Sequence, residues 1–202
     1  PGNVIATLLL LVVISLLLSQ PDVGQTAVIV IMWMSQLFLA GLPMIWVAIL
    51  VSLGVGGLAT AYFVFPHVAS RVDRFLNPES GDNFQVDRAL EAFMNGGMFG
   101  TGPGSGTVKT HLPDAHADFV FAVLGEEFGL FACLLLVIVF GFIVVRGFLR
   151  AFQDSAFFII LATTGLLVQF ALQALINMAS AVNLIPPKGM TLPFVSYGGS
   201  SV

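Results

Sequence analysis

The sequence is short of charge. Only 9% of its 202 residues are Asp, Glu, Lys or Arg, against about 25% in an ordinary soluble domain. A surface so poor in charge cannot be covered by water alone, which leaves lipid as the main solvent. The charges that exist nearly cancel, at a net of −4, so no electrostatic ground favours nucleic acid as a partner. Cysteine is almost absent. Cys133 stands alone inside an apolar run, which excludes an internal disulfide and points to packing. His67, His111 and His116 lack metal-ligand spacing, and neither an HExxH pair nor clustered cysteines accompany them, so no zinc centre is expected.

What is there in quantity is apolar. Residues 4–19, 23–40, 44–65, 119–145 and 156–181 form runs of the length and composition of membrane-spanning helices. Gln20-Pro21-Asp22 breaks the first run from the second, and Gly41-Leu42-Pro43 turns the second into the third. Gly54, Gly56 and Gly57 in the third permit close helix contact. The expectation is a single all-α domain, a polytopic transmembrane helix bundle. The chain starts at Pro1-Gly2 without methionine or a signal pattern, and it stops at Ser201-Val202 without a closing helix. Both ends read as cuts in a longer chain.

Polarity is concentrated. Residues 66–118 hold seven of the eleven acids and four of the seven bases. So long a connection is usually functional or disordered, and this one contains an amphipathic segment. Asp82 or Asn83 can cap it, and Val86, Ala89, Leu90, Phe93 and Met94 share a helical face. It suits a helix lying on the membrane surface, one plugging a cavity mouth, or one packed on the transmembrane core. The fourth run is interrupted at Gly125-Glu126-Glu127, and Gln169, Gln173 and Asn177 repeat along one face of the fifth. Prolines, glycines and hydroxyls between Pro186 and Gly199 suit a C-terminal broken or re-entrant segment. Arg146 and Arg150 mark a cytoplasmic connector by the positive-inside rule. Counting spans back puts 66–118 outside as an extracytoplasmic loop, together with Gln20-Pro21-Asp22 and the turn at 186–189.

The ionisable residues at that boundary are the candidates for chemistry. Asp118 is the last charge before the fourth run. It reads either as a helix cap or as a general base at the lipid boundary, its pKa raised by partial burial. Glu126 and Glu127 can bond the polar stripe of the fifth helix, and Glu126 can also bind a cation or hold the surroundings of Asp118. Asp22 either caps the second helix or shares a metal or pyrophosphate site with the loop. Lys109, Arg71, Arg74 and Lys188 are the outer cations, able to stabilise a leaving pyrophosphate or to remain solvated. The glycines from Gly96 to Gly106 fit neither GxxxxGK[ST] nor GxGxxG, and no strand precedes them, so a nucleotide loop is rejected.

Longer motifs carry a resemblance. Leu112-Pro113-Asp114-Ala115-His116-Ala117-Asp118-Phe119-Val120-Phe121 and the following Gly125-Glu126-Glu127-Phe128-Gly129 resemble the LPEAHTDFIFAVIGEELG signature of the SEDS family of cell-wall polymerases, the FtsW/RodA type. Gln20-Pro21-Asp22-Val23-Gly24-Gln25-Thr26 is similar to its QPDLGT motif. Ile176-Asn177 and Leu192-Pro193-Phe194-Val195-Ser196-Tyr197-Gly198-Gly199-Ser200-Ser201 are similar to its IN…LPFISYGGSS. The motifs keep the family's order over nearly the whole chain, and the loop looks closer to the FtsW branch than to RodA. Ala117 departs from the family's threonine, and the family's first several spans and last one have no counterpart here.

The resemblance implies a peptidoglycan glycosyltransferase that polymerises lipid II outside the bacterial cytoplasmic (inner) membrane during cell division. It aligns Asp118 with the family's essential carboxylate. The substrate contacts expected beside it are Lys109, His116, Asp22, Glu126, Lys188, Asn177 and Ser196. No protein metal site is expected, although a divalent cation, magnesium or manganese, could accompany the pyrophosphate. A class B penicillin-binding transpeptidase, other division proteins and membrane lipids are the implied partners. A lipid II flippase and a non-catalytic division scaffold are the competing readings. A flippase should depend on Gln169, Gln173 and Asn177, and both alternatives should tolerate Asp118→Asn.

Overall fold

A computed structural model describes residues 2–20, 22–76, 84–112, 115–186 and 189–197. Seven α-helices follow one another among these residues, and no strand. They are α1 (Gly2–Ser19), α2 (Val23–Leu39), α3 (Met44–Val64), α4 (Pro66–Leu76), α5 (Phe84–Gly96), α6 (Val120–Ala151) and α7 (Phe157–Ala181). A 3₁₀ turn, Val108–His111, lies between α5 and α6. By length and composition α3, α6 and α7 can each cross a membrane, while α1 and α2 are shorter apolar helices. Large apolar side chains stand exposed along α1, α3 and α6, among them Leu9, Leu53 and Ile138. In water that surface would aggregate, and in a bilayer hydrocarbon covers it.

α6 and α7 form the centre and run antiparallel. Phe121 shares a buried cluster with Met178 and Ala181 at one end. Phe140 stacks on Phe170 midway, with ring centroids 5.0 Å apart, and Gly147 sits under Leu167 at the other end. α2 packs along α7. Gln36, late in α2, lies against Gly165, early in α7, so these two are also antiparallel. The start of α2 therefore lies at the same end of the bundle as the finish of α7 and the start of α6.

The polar stretch 66–118 has more helix than the sequence suggests. α4 was not anticipated, although Pro66 opens it at the position where proline best tolerates a helix. α5 packs on α6, which is the placement on the transmembrane core. Its buried face is Val86, Ala89, Ala92 and Gly96, not the larger set expected, and Met94 is 77% exposed. The reason is close approach: a side chain at Gly96 would stand 2.8 Å from the Cα of Glu126. Small residues make the contact, and Phe93 alone reaches over to bridge the two buried clusters. Asp82 and Asn83, the expected caps, lie outside the described residues.

α6 is not continuous, and its break lies after the expected Gly125-Glu126-Glu127. Gly129 adopts φ 77°, ψ −175°, a backbone region that only glycine occupies readily. The loop 97–102 fills the gap. Thr101 and Gly102 donate their N–H groups to the carbonyls of Glu126 and Glu127 at 2.9 and 3.0 Å. Leu130 in turn donates to the carbonyl of Gly97 at 3.0 Å. The broken helix thus keeps its backbone groups paired, as any backbone leaving water must. At 1.5 Å per residue the stretch 130–151 is roughly 33 Å long, enough for a hydrocarbon core of ~30 Å by itself. Residues 120–128 form a separate, short helical piece above it.

Candidate functional site

The site is built at the start of that short piece. Leu112, Ala115, Phe119 and Ala122 are buried with Ala89 and Ala92 of α5 in one apolar cluster, which anchors both ends of the segment 115–119. Helix α6 starts at Val120 with Phe119 in the cap position, so Asp118 stands one residue before the cap.

Three successive carbonyls of this segment are held from the C-terminal side of the chain. The N–H of Tyr197 donates to the carbonyl of His116 at 2.9 Å. The hydroxyl of Ser196 donates to the carbonyl of Ala117 at 2.6 Å. Nδ2 of Asn177 donates to the carbonyl of Asp118 at 2.8 Å and also to that of Met190 at 2.6 Å. The Ser196 hydroxyl accepts in turn from the N–H of Leu192 at 2.7 Å. Asn177 is fully buried and Ser196 nearly so, so these bonds meet little competition from water. The segment 189–197 is accordingly irregular but tied down, as the expected broken segment requires. Gly189 lies against the carboxylate itself: a Cβ there would sit 3.3 Å from Oδ2 of Asp118. Its φ of 61° independently favours glycine.

A cavity of about 440 Å³ opens beside the segment, lined by Lys109, Thr110, His116, Ala117 and Tyr197 among others. Lys109 and His116 are thus brought together at the cavity, which reaches Ala117, the residue before Asp118. Asn177 and Ser196 also come to Asp118, but they spend their side chains on its backbone and on the C-terminal segment. Glu126 is fully buried and turned away. Its Oε1 accepts from the N–H of Val108 at 2.8 Å and from Nδ2 of Asn95 at 2.9 Å. Its Oε2 accepts from the N–H of Lys109 at 2.9 Å. It is an anchor for the turn 108–111, not a cavity wall. Glu127 pairs with the ammonium of Lys109 where the sequence suggested the polar stripe of α7.

Asp22 caps α2, its Oδ1 accepting from the N–H of Gln25 at 2.9 Å, at the same end of the bundle as Asp118. Lys188 lies outside the described residues, as do the side chains of His67, Arg71 and Arg74. The roles of Asn95, Gly189 and Tyr197 were missed from sequence. Gly189 carried a signal, a glycine directly after Pro186-Pro187-Lys188, the place for a left-handed turn residue. Asn95 carried none.

The comparisons with known proteins agree with this architecture. A family profile described as "Cell cycle protein", covering FtsW, RodA and SpoVE, matches residues 2–202. A relative from Caulobacter vibrioides, described as "Probable peptidoglycan glycosyltransferase FtsW", is 48% identical over 100% of this chain and 52% of its own length. One from Saccharophagus degradans with the same description is 40% identical over 97% of this chain and 52% of its own. A solved structure described as "Structural coordination of polymerization and crosslinking by a peptidoglycan synthase complex" superposes with a TM-score of 0.75 at 30% identity. It covers 97% of this chain and 56% of that one. The chain spans about half the length of the curated relatives it matches. With the match running the length of the sequence, and the bundle shared with a peptidoglycan synthase, the chain belongs to the FtsW/RodA/SpoVE family of cell cycle proteins.

Proposed function

We propose that this chain carries the catalytic carboxylate, Asp118, of a peptidoglycan glycosyltransferase that polymerises lipid II at the outer face of the bacterial cytoplasmic membrane. One observation carries the reading: the carbonyls of His116, Ala117 and Asp118 are each held by a donor from α7 or the segment after it. That arrangement fixes the main chain of a carboxylate at the start of a membrane helix, beside a cavity lined by a lysine and a histidine. Pre-set geometry of this kind is what general base catalysis requires. The relatives described as peptidoglycan glycosyltransferases supply the reaction class.

In this mechanism Asp118 takes the proton from the 4-hydroxyl of the acceptor's N-acetylglucosamine. The oxygen attacks the anomeric carbon of the donor's N-acetylmuramic acid, and undecaprenyl pyrophosphate departs with the bonding pair. A single displacement inverts the anomeric centre. Pyrophosphate leaves as an anion, so no second acid is needed, and Lys109 stabilises the charge as it develops. His116 offers a further polar contact to the substrate from the same cavity. A divalent cation, magnesium or manganese, bound with the pyrophosphate would share that charge with Lys109. A class B penicillin-binding transpeptidase is the proposed partner and the division site the proposed location.

The test is polymerisation of lipid II by the purified full-length protein with its cognate transpeptidase, free of any other polymerase. Wild type should make glycan strands, and Asp118→Asn, still folded and partner-bound, should make none. Normal polymerisation by the mutant would remove Asp118 from the mechanism. Absence of polymer from both would favour lipid II flipping or a scaffold.

A further inference from the structure

Two consecutive glutamates hold the two ends of one lysine. Glu126, fully buried, takes the backbone N–H of Lys109 on Oε2 and that of Val108 on Oε1. Asn95 of α5 completes the shell, and Gly106 lies so close that a Cβ there would stand 2.7 Å from Oε2. The main chain at Val108 and Lys109 is therefore fixed by two charge-assisted bonds, one from each residue. Glu127 takes the other end, pairing with the Lys109 ammonium. Both side chains of that pair are largely withdrawn from water, at 21% exposure for Lys109 and 13% for Glu127. Yet Lys109 lines the cavity, where the proposed substrate brings a pyrophosphate.

A lysine cannot serve two anions fully at once in a half-buried site. To meet a phosphate it must loosen its bond to Glu127, which leaves a carboxylate with less compensation in a poorly hydrated place. We propose that Glu127 is a built-in competitor for the anion-receiving cation Lys109. It holds the ammonium in the resting state and weakens the binding of pyrophosphate-bearing lipid, so that the spent lipid carrier is released. Glu126 keeps the lysine backbone in place during the exchange. The inference rests on the glycosyltransferase reading for the identity of the anion, but its test does not depend on turnover.

The experiment is equilibrium binding of undecaprenyl pyrophosphate to the full-length protein in nanodiscs. Glu127→Gln keeps the shape and an acceptor oxygen but removes the competing charge. It should tighten binding by on the order of tenfold, the scale of close charge pairs. Lys109→Gln should weaken binding by a similar factor, and in Lys109→Gln/Glu127→Gln the gain should vanish, because Glu127 acts only through Lys109. Glu127→Asp, which keeps the charge, should bind no tighter than wild type, and thermal unfolding in detergent checks that each variant is folded. Unchanged or weaker binding in folded Glu127→Gln, or a gain that survives without Lys109, overturns the proposal. The polymerisation assay on Asp118→Asn fails or succeeds separately, so an error in the reaction class is distinguishable from an error here.

Discussion

Two carboxylates flank the first turns of α6, and the protein treats them in opposite ways. Glu126 grips with its side chain: both oxygens accept from backbone or amide N–H groups of other segments. Asp118 is gripped by its main chain, through the Asn177 amide, and its carboxylate lies against Gly189, which has no side chain to crowd it. The first charge is consumed in building the loop, and the second is positioned by the bundle. Residue type does not separate the anchoring acid from the proposed base, since both are acids beside an apolar run; what packs around each of them does.

Conservative amides should pull this contrast apart. Asp118→Asn should cost the largest factor in activity, about 10²- to 10⁴-fold in polymerisation rate, the usual contribution of a general base. Thermal unfolding should barely move. Glu126→Gln should do the reverse. It turns one acceptor into a donor facing donors, which costs about 1–3 kcal/mol for the buried group left unmatched. Its loss should read out first in unfolding temperature and in proteolysis of the loop. If Glu126→Gln unfolds like wild type but fails to polymerise as severely as Asp118→Asn, the division between anchor and base is wrong.

Gly189→Ala comes next. The added methyl meets the Asp118 carboxylate at 3.3 Å and takes a residue with φ of 61° into a strained region, worth about 1–2 kcal/mol. Polymerisation should fall more than tenfold, with the maximal rate affected more than the apparent affinity for lipid II. A loss confined to affinity would instead place Gly189 on the path of the substrate.

These contrasts mark where the sequence was legible. The apolar runs, the tight turn at Gly41 and the irregular C-terminal segment follow from composition, because a bilayer admits few alternatives for such stretches. Cys133 is buried, as its apolar surroundings indicated. The break in α6 lies beyond the charged pair Glu126 and Glu127, because the backbone needs a residue tolerant of positive φ and finds it at Gly129. The buried face of α5 was misread for a related reason: the pattern favoured large side chains, but a helix lying close to Gly125 needs small ones. Asn177 belongs to a polar stripe in the sequence, yet its acceptor at Asp118 lies 59 residues away. No local spacing encodes such a pairing, and only the packing of α6 on α7 creates it.

Asn177 and Ser196 give the finest test, since they hold adjacent carbonyls of the same segment. Asn177→Ala strips a donor from two carbonyls, those of Asp118 and Met190. It should lower the polymerisation rate about tenfold and stability by about 1–2 kcal/mol, the upper range for polar contacts within membrane bundles.

Ser196→Ala should be milder. It removes the donor to the carbonyl of Ala117 and the acceptor for Leu192 N–H, worth about 1 kcal/mol each at most in net terms. The carbonyl of Asp118 would still be held by Asn177 and that of His116 by Tyr197, so the segment keeps two of its three ties. A two- to threefold fall in rate, with unchanged affinity for lipid II, is the expected result, about 0.5 kcal/mol in the barrier. Steady-state polymerisation on both single variants and their double decides the matter. If Ser196→Ala costs more than Asn177→Ala, the tie at Ala117 rather than the one at Asp118 sets the direction of the carboxylate. If the double variant is no worse than Asn177→Ala alone, the two ties act as one unit, and the C-terminal segment moves as a body against the start of α6.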